Sequence, residues 1–130
     1  MSSPSPTLGL TLLVAAAGGA GAVLRALLIH HIGLRRRDPL PVGTMVVNAS
    51  GSLLLGILTG LSLYHGLGSR VLAVVGVGMC GGYTTWSTAS WETVHLVHTG
   101  HRLHAVGYTV GSLAVCLAAA ALGIGLTGLL

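Results

Sequence analysis

Four long stretches of the chain consist almost entirely of apolar residues, and short polar connectors separate them. A helix needs about 20 mostly apolar residues to cross the hydrocarbon core of a bilayer, and each stretch is long enough to do so. The pattern therefore predicts an all-α integral membrane protein, a single four-helix transmembrane unit over residues 1–130. The predicted spans cover residues 8–32, 43–63, 71–97 and 103–130. Since no connector is long enough to hold a soluble domain, we expect the function to lie within the membrane.

The composition agrees with a membrane environment. Of the 130 residues, 52% are hydrophobic and 6% are charged, and the mean hydropathy is +0.87. Soluble domains carry about 25% charged residues. The net charge of +4 would suggest nucleic acid as a partner of a soluble protein, but here the arginines lie mainly between apolar spans. We therefore expect membrane lipid around the protein, and no nucleic-acid partner.

The arginines of the connectors are unevenly distributed between the two sides of the membrane. The connectors between spans 1 and 2 and between spans 3 and 4 share one side and carry Arg35, Arg36, Arg37 and Arg102, whereas the opposite side has Arg70. Basic connectors stay in the cytoplasm. The charges therefore predict a multi-pass protein of the cell membrane with both termini outside the cytoplasm.

Small residues recur every four positions in two of the spans. Ser52, Gly56 and Gly60 form one such stripe in the second span, and Gly107 and Gly111 form another in the fourth. Small residues at this spacing let helix backbones approach closely. The stripes predict tight helix packing, within one subunit or between subunits.

The middle of the third span is unusually polar for a membrane helix. Residues 79–92 read MCGGYTTWSTASWE, and we predict that the helix is broken at residues 81–85. Backbone without helical partners is tolerated at membrane depth only where it is buried in protein or faces a watery cavity. The ends of broken helices present carbonyl groups to cations and N–H groups to anions. The pattern favours an ion site over a simple kink whose hydroxyls bond to the preceding turn.

Polar residues in the other spans allow two interpretations each. Asn48 could make an interhelical hydrogen bond or face a pore. Tyr108, Ser112 and Cys116 share one face of the fourth span and could form a ladder of donors for a small anion, or could simply pack. Arg25 could reach the headgroups, or face a vestibule where its charge would concentrate anions.

The remaining ionisable residues give weaker indications. Glu92 is a candidate for a proton- or cation-coupled carboxylate. Histidines recur every third residue around the last connector, but Gly100 interrupts them and no set of metal ligands is complete, so we favour interfacial histidines. The histidines of this series are His95, His98, His101 and His104. No nucleophile and base stand at a plausible spacing, so we do not expect an enzyme.

Three motifs in the right order resemble those of the Fluc (CrcB) family of fluoride channels. Residues 81–88, GGYTTWST, resemble the family's GGxTTFST signature. Residues 47–53, VNASGSL, resemble its VNxxGSx motif, and residues 18–25, GGAGAVLR, resemble its glycine-rich opening, which ends in GAxxR. The likeness extends through all four spans.

This resemblance implies an antiparallel dimer of four-helix subunits with two narrow pores, through which fluoride leaves the cell passively and so becomes less toxic. It also implies a structural sodium ion (Na+) at the centre of the dimer, held by backbone carbonyls at Gly81 and Thr84 and not transported. Arg25 would act electrostatically in the vestibule. The residues that the resemblance assigns to the fluoride pore are Asn48, Thr85, Trp86, Ser87, Tyr108 and Ser112.

The chain departs from the family pattern in two respects. The family usually has phenylalanines at the positions of Trp86 and Ala89, and this chain contains no phenylalanine. The positive edge of an aromatic ring can attract an anion, which Trp86 retains and Ala89 lacks. A homodimer inserted both ways also needs balanced charge in its connectors. We therefore hypothesise a heterodimer in which an oppositely inserted homologous subunit supplies the missing phenylalanine, with a homodimer as the alternative.

Two other functions compete with a conducting fluoride channel. Small four-helix multidrug or cation antiporters have this length, but they depend on a glutamate in the first span, whose only charge here is Arg25. The loss at Ala89 is also compatible with a non-conducting partner subunit of a heterodimeric channel.

Overall fold

The predicted all-α architecture is confirmed by a computed structural model of the protein, which describes residues 7–35 and 39–130. The elements in chain order are α1 (Leu8–Leu34), α2 (Val42–His65), α3 (Ser69–Val71), a π-helix (Leu72–Cys80), α4 (Gly81–Tyr83), α5 (Trp86–His98) and α6 (Arg102–Thr127). No strand occurs in these two described ranges. Arg36 and Arg37, which contribute to the predicted orientation, lie outside them.

Within the described residues, three helices are long and apolar enough to cross a membrane unaided. These are α1, α2 and α6, whose most apolar stretches of 18 residues have mean hydropathies of 2.1, 1.6 and 2.0. The fourth crossing runs over residues 69–98 and is divided between two helical halves. The ends of the four helical regions lie within three residues of the predicted span ends.

The interruption in the third span is narrower than predicted. Thr84 and Thr85 are extended, with ψ values of 160° and 124°, and helix resumes at Trp86. Gly81 and Gly82 remain helical, although the prediction included them in the break. We call residues 84–85 the helix break.

Two glycines before the helix break, Gly78 and Gly82, serve packing rather than chain reversal. A Cβ on Gly82 would collide with the carbonyl oxygen of Gly18 on α1, and one on Gly21 would collide with the carbonyl oxygen of Met79. A Cβ on Gly78 would come within 2.7 Å of the Val14 carbonyl oxygen. Small residues thus bring α1 into backbone contact with the first half of the third span.

The first predicted stripe of small residues also packs within the chain. A Cβ on Gly56 would collide with the carbonyl oxygen of Ala120, and one on Gly60 would collide with the Thr127 hydroxyl. Gly123 of α6 makes the corresponding contact from the other helix, since a Cβ there would come within 2.6 Å of the Leu53 carbonyl oxygen. This close approach holds α2 and α6 together along much of their length.

The second stripe has a different environment. A Cβ on Gly107 or Gly111 would find nothing within 4 Å, so this part of α6 forms an outer face of the chain. The stripes were predicted to pack either within one subunit or between subunits. The stripe of Gly107 and Gly111 does not pack within the chain.

Candidate functional site at the helix break

Asn48 of α2 holds the backbone of the helix break. Its Nδ2 donates to the Thr85 carbonyl oxygen at 2.9 Å, and its Oδ1 accepts from the Thr85 N–H at 2.8 Å. Thr85 is only 7% exposed, so both backbone groups would be costly to leave unpaired. Gly51 allows this approach, because a Cβ there would collide with Thr84 and come within 3.2 Å of the Tyr83 ring. Asn48 therefore makes an interhelical hydrogen bond, which is one of the two roles that the sequence allowed for it.

The Thr85 side chain starts the second half of the third span. Its Oγ1 accepts from the Thr88 N–H at 3.2 Å, which caps the N-terminus of α5. The same hydroxyl donates to Thr88 Oγ1 at 3.0 Å and lies 3.3 Å from Ser87 Oγ. The hydroxyl-rich sequence after the glycines thus ends one helical segment and begins the next.

Arg25 of α1 reaches the helix break rather than the membrane surface. Its Nη1 donates to the Thr84 carbonyl oxygen at 3.0 Å, and the contact is partly buried. Arg25 lies about two and a half turns before the end of α1, which places the guanidinium well inside the span. Of the two interpretations of Arg25, the one that sends it to the headgroups is therefore wrong.

The pairing of Thr85 with Asn48 changes the backbone of the preceding turn. In a continuous helix the Thr85 N–H would bond the carbonyl of Gly81, four residues earlier. Here that N–H is used by Asn48. The Gly81 carbonyl is thereby released from its usual partner. Gly81 itself is exposed, and a Cβ added to it would meet nothing within 4 Å.

A second polar cluster lies near the N-terminal ends of α2 and α6 and connects these two helices with α5. Thr44 of α2 donates to Glu92 Oε1 at 2.8 Å, and Tyr108 of α6 donates to Glu92 Oε2 at 2.8 Å. Thr44 is 0% exposed and Tyr108 is 2% exposed. We call Thr44, Glu92 and Tyr108 the Glu92 cluster. Sequence reasoning missed Thr44 and the pairing of Tyr108 with Glu92, although a carboxylate inside a span is itself a signal of a functional position.

The other residues assigned to the pore have contrasting environments. Ser112 Oγ is buried, and in the described part of the chain it has no hydrogen-bond partner. Trp86 is 82% exposed and Ser87 is also exposed, both at the outward-facing start of α5. Ala89 instead packs against the core around Leu96 and Tyr108. A single chain therefore brings only part of the assigned set together.

Three of the histidines around the last connector contact other aromatic rings. His95 stacks on Trp91 with ring centroids 5.1 Å apart, and His101 meets His104 edge-on at 5.7 Å. Within residues 7–35 and 39–130, no group of three or more potential ligands is arranged to hold a metal.

The helix break is the meeting point of all three sequence motifs. The glycines of the first motif dock α1 against the third span, and its Arg25 binds Thr84. The second motif supplies Asn48 for Thr85, and the third motif contains the break itself. The fold and this site define a small multi-pass membrane protein with a helix interruption held by side chains of two other helices.

Comparison with known proteins places the chain in a family. A family model described as "CrcB-like protein, Camphor Resistance (CrcB)" matches residues 12–124, and the chain belongs to this family. The Fluoride-specific ion channel FluC 1 of Leifsonia xyli subsp. xyli is 44% identical over 118 residues, which cover 91% of this chain and 86% of that protein. FluC 2 of Cutibacterium acnes is 43% identical over 117 residues, covering 86% and 95%. FluC 2 of Haloarcula marismortui is 43% identical over 109 residues, covering 83% and 85%.

The comparisons confirm two predictions from the sequence. The resemblance to the Fluc (CrcB) family is confirmed by the family model and by these relatives. The family consists of ion channels, so the chain is not an enzyme.

Proposed function

We propose that the chain is a subunit of a fluoride-specific ion channel through which fluoride leaves the cell passively. The observation that carries this proposal is the convergence of all three family motifs on the helix break, in a chain whose relatives are named fluoride-specific ion channels. Efflux of fluoride would lower its concentration in the cytoplasm and so its toxicity. The antiporter alternative has no comparable support, because α1 contains no carboxylate.

A series of polar groups supports a path for an anion along the bundle. Asn48 lies one turn beyond Thr44 on α2, and Ser112 lies one turn beyond Tyr108 on α6. These polar groups thus continue from the Glu92 cluster towards the helix break. The buried and unpartnered hydroxyl of Ser112 has a proton to offer an anion. Fluoride is strongly hydrated and needs such donors in place of water.

The proposed channel also contains a structural sodium ion, and the donor set at the helix break fits one. The Gly81 carbonyl is released from its helical partner, and the Thr84 carbonyl follows three residues later, where the backbone is extended. Carbonyl oxygens suit hard cations, and they require only a broken helix. Two carbonyls are too few to complete the oxygen shell of a hard cation, so a second subunit would supply further oxygens. The ion would hold the subunits together without taking part in transport.

An antiparallel partner subunit would complete the outer faces of this chain. Trp86, Ser87 and Gly81 are exposed at membrane depth, and the second small-residue stripe on α6 has no atom of the chain within 4 Å of an added Cβ. Polar groups facing lipid are unfavourable, and small-residue stripes favour contact with another helix. A homologous subunit with phenylalanines at the positions of Trp86 and Ala89 would complete one of the two pores.

The experiment is fluoride efflux from liposomes that contain the purified chain, alone and together with a homologous subunit. The vesicles are loaded with potassium fluoride, valinomycin carries the balancing potassium, and an electrode records external fluoride. We expect rapid release of fluoride and no release of chloride. Asn48→Leu should lose this activity, whereas Gly19→Ala, which contacts nothing, should retain it. The proposal would be contradicted if vesicles with folded protein released fluoride no faster than protein-free vesicles, both with the chain alone and with the homologous subunit added.

A second candidate is a subunit that assembles the channel without a conducting pore of its own. The observation favouring it is Ala89, which packs inward against the core around Leu96 and Tyr108 and offers no aromatic edge. Efflux from the chain alone would exclude this role and the need for a heterodimer. Two results together would support the non-conducting role. Fluoride efflux would occur only when the partner is present, and its rate would stay the same when Asn48→Leu is introduced into this chain.

A further inference from the structure

Arg25 brings a full positive charge to a site built from neutral backbone groups. Its guanidinium donates to the Thr84 carbonyl oxygen at 3.0 Å. Among the described residues, Glu92 is the one acidic side chain. Its two oxygens accept hydrogen bonds from Thr44 and Tyr108. The hydrogen bond of Arg25 therefore goes to a backbone dipole and not to a carboxylate. A cation inside a span is normally paired, so the carbonyls of the helix break must provide that compensation.

We infer that Arg25 is a built-in counter-cation of the helix break, which stabilises the break without sodium and lowers the affinity of the break for sodium. This inference rests on the sodium site of the proposed function, because both cations use the Thr84 carbonyl. It assigns Arg25 a positioning role towards the backbone, in place of a purely electrostatic role in a vestibule.

The two cations can share one carbonyl, but they repel each other. A carbonyl oxygen has two lone pairs and can accept from Arg25 while it coordinates an ion. The guanidinium and an ion on the same oxygen would lie about 5 Å apart, given coordination at roughly 2.4 Å. At an effective dielectric constant of about 20, that repulsion weakens ion binding on the order of 100-fold.

The charge of Arg25 cannot easily move away from the helix break. The backbones of α1 and the third span are in contact where Gly21 meets Met79 and where Gly82 meets Gly18. These contacts lie within about two turns of Arg25 and fix the base of its side chain. Its competition with sodium is therefore a property of the folded chain rather than of one mobile rotamer.

The test measures thermal unfolding of the detergent-solubilised protein as a function of sodium concentration, with N-methylglucamine chloride keeping the ionic strength constant. The proteins compared are the wild type, Arg25→Gln, Arg25→Met and Arg25→Lys. Arg70→Gln serves as the matched control, because Arg70 is exposed near the connector between the second and third spans. This readout does not depend on fluoride transport.

We expect the two neutral variants to be less stable than the wild type without sodium and to recover as sodium is added. The sodium concentration that gives half of the recovery should be lower than in the wild type, on the order of 10- to 100-fold. Arg25→Lys and Arg70→Gln should match the wild type within about twofold, because they leave the charge at the helix break unchanged. A neutral variant that folds only in sodium would also support the inference.

Three outcomes would overturn the inference, and they separate it from the proposed function. An equal sodium response in all five proteins would refute the role of Arg25 and leave the sodium site intact. Neutral variants that unfold at every sodium concentration, while Arg25→Lys is folded, would show that sodium cannot replace the arginine. The absence of any sodium effect in every protein would refute the sodium site as well, whereas the proposed fluoride conduction would still be decided by the efflux measurement.

Discussion

At the scale of single residues, Asn48 shows how one side chain stabilises a broken helix inside a membrane. It is both donor and acceptor for the backbone of Thr85, which is 7% exposed. Asn48→Leu keeps a similar volume but leaves a buried N–H and a buried carbonyl unpaired. We expect a loss of about 2–4 kcal/mol in the free energy of unfolding, since each unsatisfied group costs roughly 1–3 kcal/mol.

The measurement for Asn48 is denaturant unfolding of the protein in detergent, with Ser50→Ala as the control. Ser50 lies half a turn away and bonds to the Val46 carbonyl and the Tyr83 hydroxyl, but it is exposed. Its removal should change stability by less than about 1 kcal/mol. Equal effects of the two substitutions would mean that Asn48 does not support the helix break.

The same scale shows what the sequence could not reveal about individual side chains. The polarity of Asn48, Arg25 and Glu92 marked them as unusual, because burying such groups in a membrane requires partners. Their partners are 37, 59 and 16 or more residues away, and no local pattern identifies them. For Glu92, the second partner is Thr44, which nothing in the sequence distinguishes from other threonines.

At the scale of helices, backbone contact between α1 and the third span determines where the functional side chains lie. A Cβ on Gly21 would come within 2.8 Å of the Tyr83 backbone nitrogen and would collide with the Met79 carbonyl. Neither backbone atom can yield without moving a helix. We expect Gly21→Ala to lower the free energy of unfolding by about 1–3 kcal/mol and to separate Arg25 from Thr84.

The control for Gly21 is Gly19→Ala on the same helix, where a Cβ would contact nothing within 4 Å. Alanine favours helix over glycine by about 1 kcal/mol, so this variant should be neutral or slightly stabilised. Thermal unfolding of both variants measures the difference. If Gly21→Ala is as stable as Gly19→Ala, close packing of α1 is not required.

The helices themselves were predictable because their signals are local. Runs of apolar residues locate the spans, and hydroxyl residues beside glycines locate the interruption to within a few residues. At this scale, the prediction that Gly81 and Gly82 belong to the helix break was wrong, because glycine occurs both at chain breaks and at close contacts between helices. Only the position of Gly18 opposite Gly82 distinguishes the two.

At the scale of the whole molecule, the connectors predict how the chain is inserted. Four arginines lie on one side and Arg70 lies on the other, so we expect a single orientation with both termini outside the cytoplasm. A phosphatase fused after Leu130 should then be active, and a green fluorescent protein fused at the same position should be dark. The reverse result would contradict the predicted orientation, and equal signals from both would indicate insertion in both directions.

Changing the charges connects this orientation to the proposed pairing of subunits. Replacing Arg35, Arg36 and Arg37 by glutamine leaves one arginine on each side, so we expect both fusions to become active. The matched replacement by lysine preserves the charge and should preserve the orientation. Because an antiparallel pair needs both orientations, the glutamine variant should also form pairs without a second kind of subunit, if the exposed faces at Gly81 and on α6 can contact each other. Crosslinked dimers of the glutamine variant, together with monomers of the lysine variant, would show that connector charge makes this chain depend on a partner.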